Sequence, residues 1–184
     1  MSAGAARALT SSGLQSHFEL FGLPRAFGLD KEALEQAYRE IQSRVHPDRF
    51  AHAGDAERRA SLQWTTRVNE AYRTLKDPVQ RGSYLLELHG VDVAFETNTR
   101  MPADFLLQQL ELREELESAT AGKDASRLDR LRTGLRSQKQ ILERQIGDAI
   151  DSKKDYPVAA GLVRKLMFLD RLDSEIDAAY EAIE

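Results

Sequence analysis

A chain of 184 residues has room for one large or two small domains, each able to bury a real core. Its formal charge of −4 and pI near 5.7 argue against nucleic acid as the main partner. With no cysteine, disulfides, thiolate zinc sites, cysteine-ligated iron–sulfur clusters and cysteine nucleophiles are all excluded, and a reducing compartment is suited.

No apolar run approaches membrane-spanning length, and no hydrophobic signal core precedes a cleavage site, so no membrane role is expected. Residues 1–16 are small and polar with Arg7 the only charge, which reads as a flexible tail. His17 to Pro24 forms a short helix closed by Gly22 and Pro24, and Arg25 to Leu29 a loop. Asp30 is a good N-cap, with Glu32 in the first turn where the helix dipole favours it. The following helix puts Leu34, Ala37, Tyr38, Ile41 and Val45 on one stripe, and Arg39 and Arg44 point away from it. Pro47 lacks an N–H and biases His46 away from the helical region, so this helix stops at about Val45 or His46.

Val45-His46-Pro47-Asp48-Arg49-Phe50 is then the exposed corner of a helical hairpin. On their own, His46 and Asp48 read most simply as caps around a helix-breaking proline. A second helix runs from about Ala56 to Lys76, with Leu62 (or Thr65), Val68, Ala71, Tyr72 and Leu75 inward and Trp64 beside that stripe. Asp77-Pro78 opens a third helix with Pro78 at its first position; Tyr84, Leu85 and Leu88 pack inward and His89-Gly90 end it.

Val91 to Pro102 has no helical period and serves as a connector. Three amphipathic patterns follow. The first spans about Ala103 to Thr120 and stops at Ala121-Gly122-Lys123. The second starts near Asp124 and carries Leu128, Leu131, Leu135, Leu142, Ile146 and Ile150. The third starts near Pro157 and carries Leu162, Leu166, Leu169, Leu172, Ile176, Tyr180 and Ile183. Short turns between long helices predict an up-down-up bundle, weakened locally at Gly134, Gly147 and Gly161. The expected fold is all-α: a tail over 1–16, a helical hairpin domain over 17–90, a connector over 91–102 and a three-helix bundle over 103–184.

One helix has more apolar surface than such a bundle needs. At roughly 100° per residue, Phe105, Leu112, Leu116 and Ala119 fall within about 40° of one direction and supply the core stripe. Leu106, Leu107 and Leu110 lie about 100° to 200° away, beside Glu114 and Glu117 and bordered by Glu111. These leucines pack on the first domain, stand singly in solvent, or form a face for a partner. A second apolar patch ringed by carboxylates favours the partner.

Read together, the motifs of the first half resemble a J-domain of the DnaJ type: Phe18 to Leu23, Tyr38-Arg39, His46 to Arg49, Val68 to Leu75, Asp77-Pro78, Arg81 and Tyr84. That resemblance implies an interaction module rather than an enzyme, docking on a DnaK-type chaperone and stimulating ATP hydrolysis there. His46, Pro47 and Asp48 would be the stimulating loop, and Tyr38, Arg39 and Arg44 the docking face, its positive charge diluted by Glu35 and Glu40. Phe105 to Glu117, Arg164 to Asp170 and Tyr84 to Gly90 extend the similarity to the HscB family of iron–sulfur cluster assembly. The family resemblance implies a scaffold protein of the IscU type bound by the C-terminal bundle and handed to an HscA-type chaperone, which promotes cluster transfer. Leu106, Leu107, Leu110, Glu111, Glu114 and Phe168 fall on the family's scaffold-binding positions; the further acidic position is Ser118 here. No cofactor and no metal are expected; the short N-terminus favours the bacterial cytoplasm (the mitochondrial matrix being the alternative), and nothing demands more than a monomer.

Two other readings bound this one. A generic J-protein with broader clients would carry a Gly/Phe-rich linker or cysteine repeats after Gly90, and neither appears. His46, Asp48, His52 and His89 could be imagined as a metal site of a helical hydrolase, but Pro47 splays the first two and no paired carboxylates stand beside them.

Overall fold

The computed structural model describes residues 15–45, 54–93 and 101–183, and among them there is no strand. The chain divides into two compact units, Met1–Arg81 and Gly82–Glu184. No helix among the described residues is long and apolar enough to cross a membrane.

In the first unit, α1 (His17–Leu20) is started by a reciprocal cap. The Ser16 hydroxyl accepts from the Glu19 N–H at 3.3 Å, and the Glu19 carboxylate accepts from the Ser16 N–H at 2.9 Å. Gly22, at φ +66°, then turns the chain so that the Leu23 N–H reaches the Phe18 carbonyl at 2.9 Å. The predicted stop is therefore the observed one. Asp30 caps α2 (Lys31–Val45) as expected, its carboxylate accepting from the N–H groups of Glu32 and Ala33. Leu34 is buried, Ala37, Tyr38, Ile41 and Val45 are half-buried, and Arg39 and Arg44 face solvent.

Helix α3 (Asp55–Lys76) runs antiparallel to α2, with Asn69 and Tyr72 opposite Tyr38 and Ser61 opposite Val45. Val68, Ala71 and Leu75 are fully buried with Phe18 and Leu34. Each such leucine contributes about 2 kcal/mol by leaving water. The inward position expected of Leu62 is not observed: Leu62 is 55 % exposed and Ser61 is buried in its place. Ser61 stands seven residues before Val68 on the same helical stripe, Leu62 is turned about 100° from it, and the buried hydroxyl is satisfied. The Ser61 and Thr65 hydroxyls both donate to the Val45 carbonyl at the end of α2, at 2.7 and 3.3 Å. Trp64 is half-buried, with the Arg67 guanidinium 5.6 Å from its ring centre.

Pro78 begins α4 (Pro78–Leu88), where a missing N–H costs nothing. Arg81 is buried and donates to the carbonyls of Phe27 and Leu75. Leu85 is buried as expected, but Leu88 is 38 % exposed and Leu86 takes the inward place. Leu86 and Leu88 lie about 200° apart on the helix, so the buried arc is centred between Leu85 and Leu86, with Arg81 and Gly82 one turn earlier, and not between Leu85 and Leu88. Gly90, at φ +73°, ends the helix with the Val91 N–H on the Leu86 carbonyl.

The second unit holds α5 (Ala103–Ala121), α6 (Ala125–Gly147) and α7 (Tyr156–Ile183), each packed on the other two. Asp124 caps α6 through the Arg127 N–H at 3.0 Å, after a reversal in which Lys123 takes φ +50°. Antiparallel α6 and α7 are tied by Lys139 to Asp170 and Asp173 and by Arg132 to Asp177. Parallel α5 and α7 are tied by Arg113 to Glu175 at 3.3 Å. The core combines Phe105, Leu116, Leu128, Leu135, Leu169 and Ile176. Two features depart from expectation. Leu162 is half-buried, while Ala159 and Val163 form the buried stripe of α7 at that level. Between α6 and α7 the backbone passes through a π-helical stretch, Asp148–Lys153, which buries Ala149 and Ile150 before Lys154 reverses it at φ +56°.

Candidate docking surfaces

The first surface is the outward side of α2. Arg39 and Arg44 are both exposed on it, and Arg39 is ion-paired at 2.8 Å with Glu35 one turn earlier. Tyr38 sits elsewhere. It is half-buried, stacked on Tyr72, and its hydroxyl donates to Asn69 at 3.0 Å while accepting from the Gln42 amide at 2.7 Å. Gln42 also donates to Asn69, closing a three-membered polar network between α2 and α3. Of the expected docking residues, Arg39 and Arg44 present charge to solvent, while Tyr38 holds the hairpin together. His46, Pro47, Asp48 and His52 lie outside the described residues. Among the described residues no group of three His, Cys, Asp or Glu side chains could hold a metal ion, and His89 stacks on Tyr156 with centroids 4.2 Å apart.

The second surface is on α5. Phe105, Leu116 and Ala119 are buried and Leu112 packs against the same core, as the helical phase requires. Leu106, Leu107 and Leu110 are 46, 61 and 54 % exposed, far above the few per cent of the core leucines. Glu111 and Glu114 are exposed as well. Side chains four apart stand one above another on a helix. Leu107 is therefore followed by Glu111, and Leu106 and Leu110 by Glu114, so each apolar column ends in a carboxylate. The next position, Ser118, accepts a hydrogen bond from the Arg127 guanidinium at 3.1 Å.

Phe168 of α7 borders this helix. Its ring meets that of Phe105 edge to face, 6.1 Å between centroids, and it remains half-buried. The fold thus brings Phe168 beside the residue that precedes Leu106. Two cations flank the aromatic pair: the Lys165 ammonium lies 5.4 Å from the Phe105 ring and the Arg171 guanidinium 5.9 Å from the Phe168 ring. Sequence reasoning did not single them out, although both lie one helical turn from Phe168. It also missed Gln109, which is 5 % exposed within the core stripe of α5. Helical phase puts position 109 about 40° from Phe105, on that stripe; only its polar side chain kept it out of an apolar pattern.

Both halves of the chain match known families. Residues 16–84 match the family model described as "DnaJ domain", and residues 101–177 that described as "HSCB C-terminal oligomerisation domain". The "Co-chaperone protein HscB homolog" of Burkholderia vietnamiensis is 52 % identical over 169 residues, covering 92 % of this chain and 96 % of the relative. That of an Azoarcus species is 49 % identical over 170 residues, with the same coverage. Among solved structures, the chaperone HscB from Vibrio cholerae superposes with a TM-score of 0.81 at 35 % identity, over 92 % of this chain and 100 % of its own. The human co-chaperone protein HscB superposes with a TM-score of 0.85 at 26 % identity, over 91 % of this chain and 83 % of its own. With a J-domain followed by a C-terminal helical region, the chain belongs to the HscB family of co-chaperones, which are not catalytic enzymes.

Proposed function

We propose that this chain is an adaptor in iron–sulfur cluster assembly. It binds a scaffold protein of the IscU type through α5, delivers it to a DnaK/HscA-type chaperone and stimulates that chaperone's ATPase through His46-Pro47-Asp48. The observation that carries the reading is the exposure of Leu106, Leu107 and Leu110 on a helix whose core stripe is already complete. Three exposed leucines on adjoining columns, each column ending at Glu111 or Glu114, favour a partner with an apolar patch flanked by lysine or arginine. Phe168 would extend the apolar area from α7.

At the other end, Arg39 and Arg44 would meet an acidic chaperone surface, and Tyr38 would act through the shape of the hairpin it braces. The chain needs no chemistry of its own in this scheme. It changes the rate of a partner's reaction, and the cluster is cargo on the scaffold. Close bacterial relatives support a place in the bacterial cytoplasm. A monomer suffices, because one chain carries both surfaces.

Titration of the purified chain with scaffold and chaperone, singly and together, tests the scheme. Joint replacement of Leu106, Leu107 and Leu110 by alanine is expected to weaken scaffold binding by about tenfold or more, with ATPase stimulation by the J-domain retained. His46→Gln is expected to abolish stimulation while scaffold binding and helical circular dichroism stay unchanged. Unaltered scaffold affinity in the triple variant would remove α5 from the scheme.

A further inference from the structure

The last carbonyl of α2 belongs to Val45, the residue bonded to His46. A helix leaves its final carbonyls without internal partners. In this chain the Val45 oxygen is held from across the hairpin by two hydroxyls: Ser61 Oγ at 2.7 Å and Thr65 Oγ1 at 3.3 Å. Ser61 and Thr65 are four apart, hence stacked on one face of α3, and Ser61 is 3 % exposed. A buried serine at that point contributes little apolar surface. Its hydroxyl is satisfied by the acceptor it meets.

We infer that Ser61 and Thr65 are positioning residues for ATPase stimulation, setting the direction in which the chain leaves α2 toward His46. The peptide unit joining Val45 to His46 is planar, so an oxygen held by two donors fixes the plane carrying the His46 nitrogen. A helix end without such partners frays, and the departure angle of the following residues spreads with it. The inference rests on the proposed role of His46-Pro47-Asp48 but concerns residues outside it. Neither hydroxyl belongs to the outward face of α2, so docking and stimulation should separate.

The double variant Ser61→Ala/Thr65→Val removes both donors with little change of volume. Stimulation of a purified DnaK-type chaperone is measured over a concentration series, at a temperature where circular dichroism shows the variant fully helical. Maximal stimulation should fall about fivefold, the loss of one to two net hydrogen bonds, while the half-saturating concentration stays that of the parent chain. Ser61→Thr, which keeps a hydroxyl at the same atom, should retain maximal stimulation. Full stimulation by the double variant would overturn the inference. So would a rise in half-saturating concentration with the maximum intact, or a Ser61→Thr chain as impaired as the double variant. His46→Gln serves as the reference: if it stimulates normally, the role of His46-Pro47-Asp48 itself fails, a different result from an inactive His46→Gln beside a fully active double variant.

Discussion

Tyr38 and Tyr72 lie face to face across the helical hairpin, ring centroids 4.0 Å apart and planes within 19° of parallel. The pair joins the middle of α2 to the C-terminal end of α3, and the Lys76 ammonium lies 5.2 Å from the Tyr72 ring centre. Tyr38→Phe keeps the ring and loses the hydroxyl's bonds to Asn69 and Gln42, a cost of about 1 kcal/mol. Tyr38→Ala also opens the stack and should cost about 3 kcal/mol. Urea denaturation of the two variants checks the order. Equal losses would mean that the ring contributes nothing beyond its hydroxyl.

Arg81 is a buried cation whose work is to hold backbone. Its guanidinium donates to the Phe27 carbonyl at 3.0 Å and the Leu75 carbonyl at 2.6 Å, and lies 4.7 Å from the Phe27 ring. One side chain therefore binds the loop before α2 to the end of α3. Arg81→Met matches much of the volume but strands two buried carbonyls, so it should destabilise the chain by about 3 kcal/mol, read as a lower urea midpoint at unchanged slope. Arg81→Lys can reach one carbonyl and should fall between the two.

Where a residue type dictates the local backbone, the sequence was enough. Asp30 and Asp124 cap helices, Gly22 and Gly90 end them at positive φ, and Pro78 opens one. The core stripe of α5 and its surplus leucines followed from helical phase alone. What did not follow depended on a partner across space. Ser61 shares the phase of Val68 and Leu75, but its residue type argues for the surface, and only the Val45 carbonyl opposite shows what satisfies its buried hydroxyl. Tyr38 falls on the inward stripe by helical phase, but its stacking on Tyr72 and its bond to Asn69 are set by the facing helix. The π-helical stretch over Asp148–Lys153 has no sequence signature in an i, i+3, i+4 reading.

Lys139 gives the stability a defined alkaline limit. Desolvation alone would lower its pKa, but hydrogen bonds and charge from Asp170 and Asp173 outweigh that and raise it above the ordinary 10.5. A cation with a raised folded-state value stabilises fully below its unfolded value and loses that contribution as pH climbs through the folded one. Stability from this triad should thus be flat between pH 7 and about 10 and fall above it. Glu19 sets the acid counterpart. The Ser16 N–H and the Arg25 guanidinium hold its carboxylate below the usual 4.5, so its contribution is present above that value and disappears as pH drops through the lowered one. Lys139→Met leaves two neighbouring carboxylates without their shared cation; it should cost about 1–2 kcal/mol at neutral pH and abolish the alkaline decline assigned to this residue.

Exposure of the α5 leucines makes a prediction that separates a docking face from a packed one. Replacing Leu106, Leu107 and Leu110 by alanine removes apolar atoms already in water, and alanine favours helix at least as well as leucine, so the unfolding free energy should change by less than about 1 kcal/mol. Leu116→Ala, on the same helix but 7 % exposed, should cost about 2–4 kcal/mol by leaving a cavity between α5 and its neighbours. The contrast within one helix controls for helix propensity and for any general fragility of the bundle. Sedimentation at rising concentration adds a second reading of the same surface. If the triple variant is as stable as the parent and both sediment as monomers, the leucines serve a different molecule. If the parent self-associates and the variant does not, they serve a second copy of this chain. Scaffold binding through so largely apolar a face should, moreover, survive a shift from low to moderate salt that would weaken a contact made by charge alone.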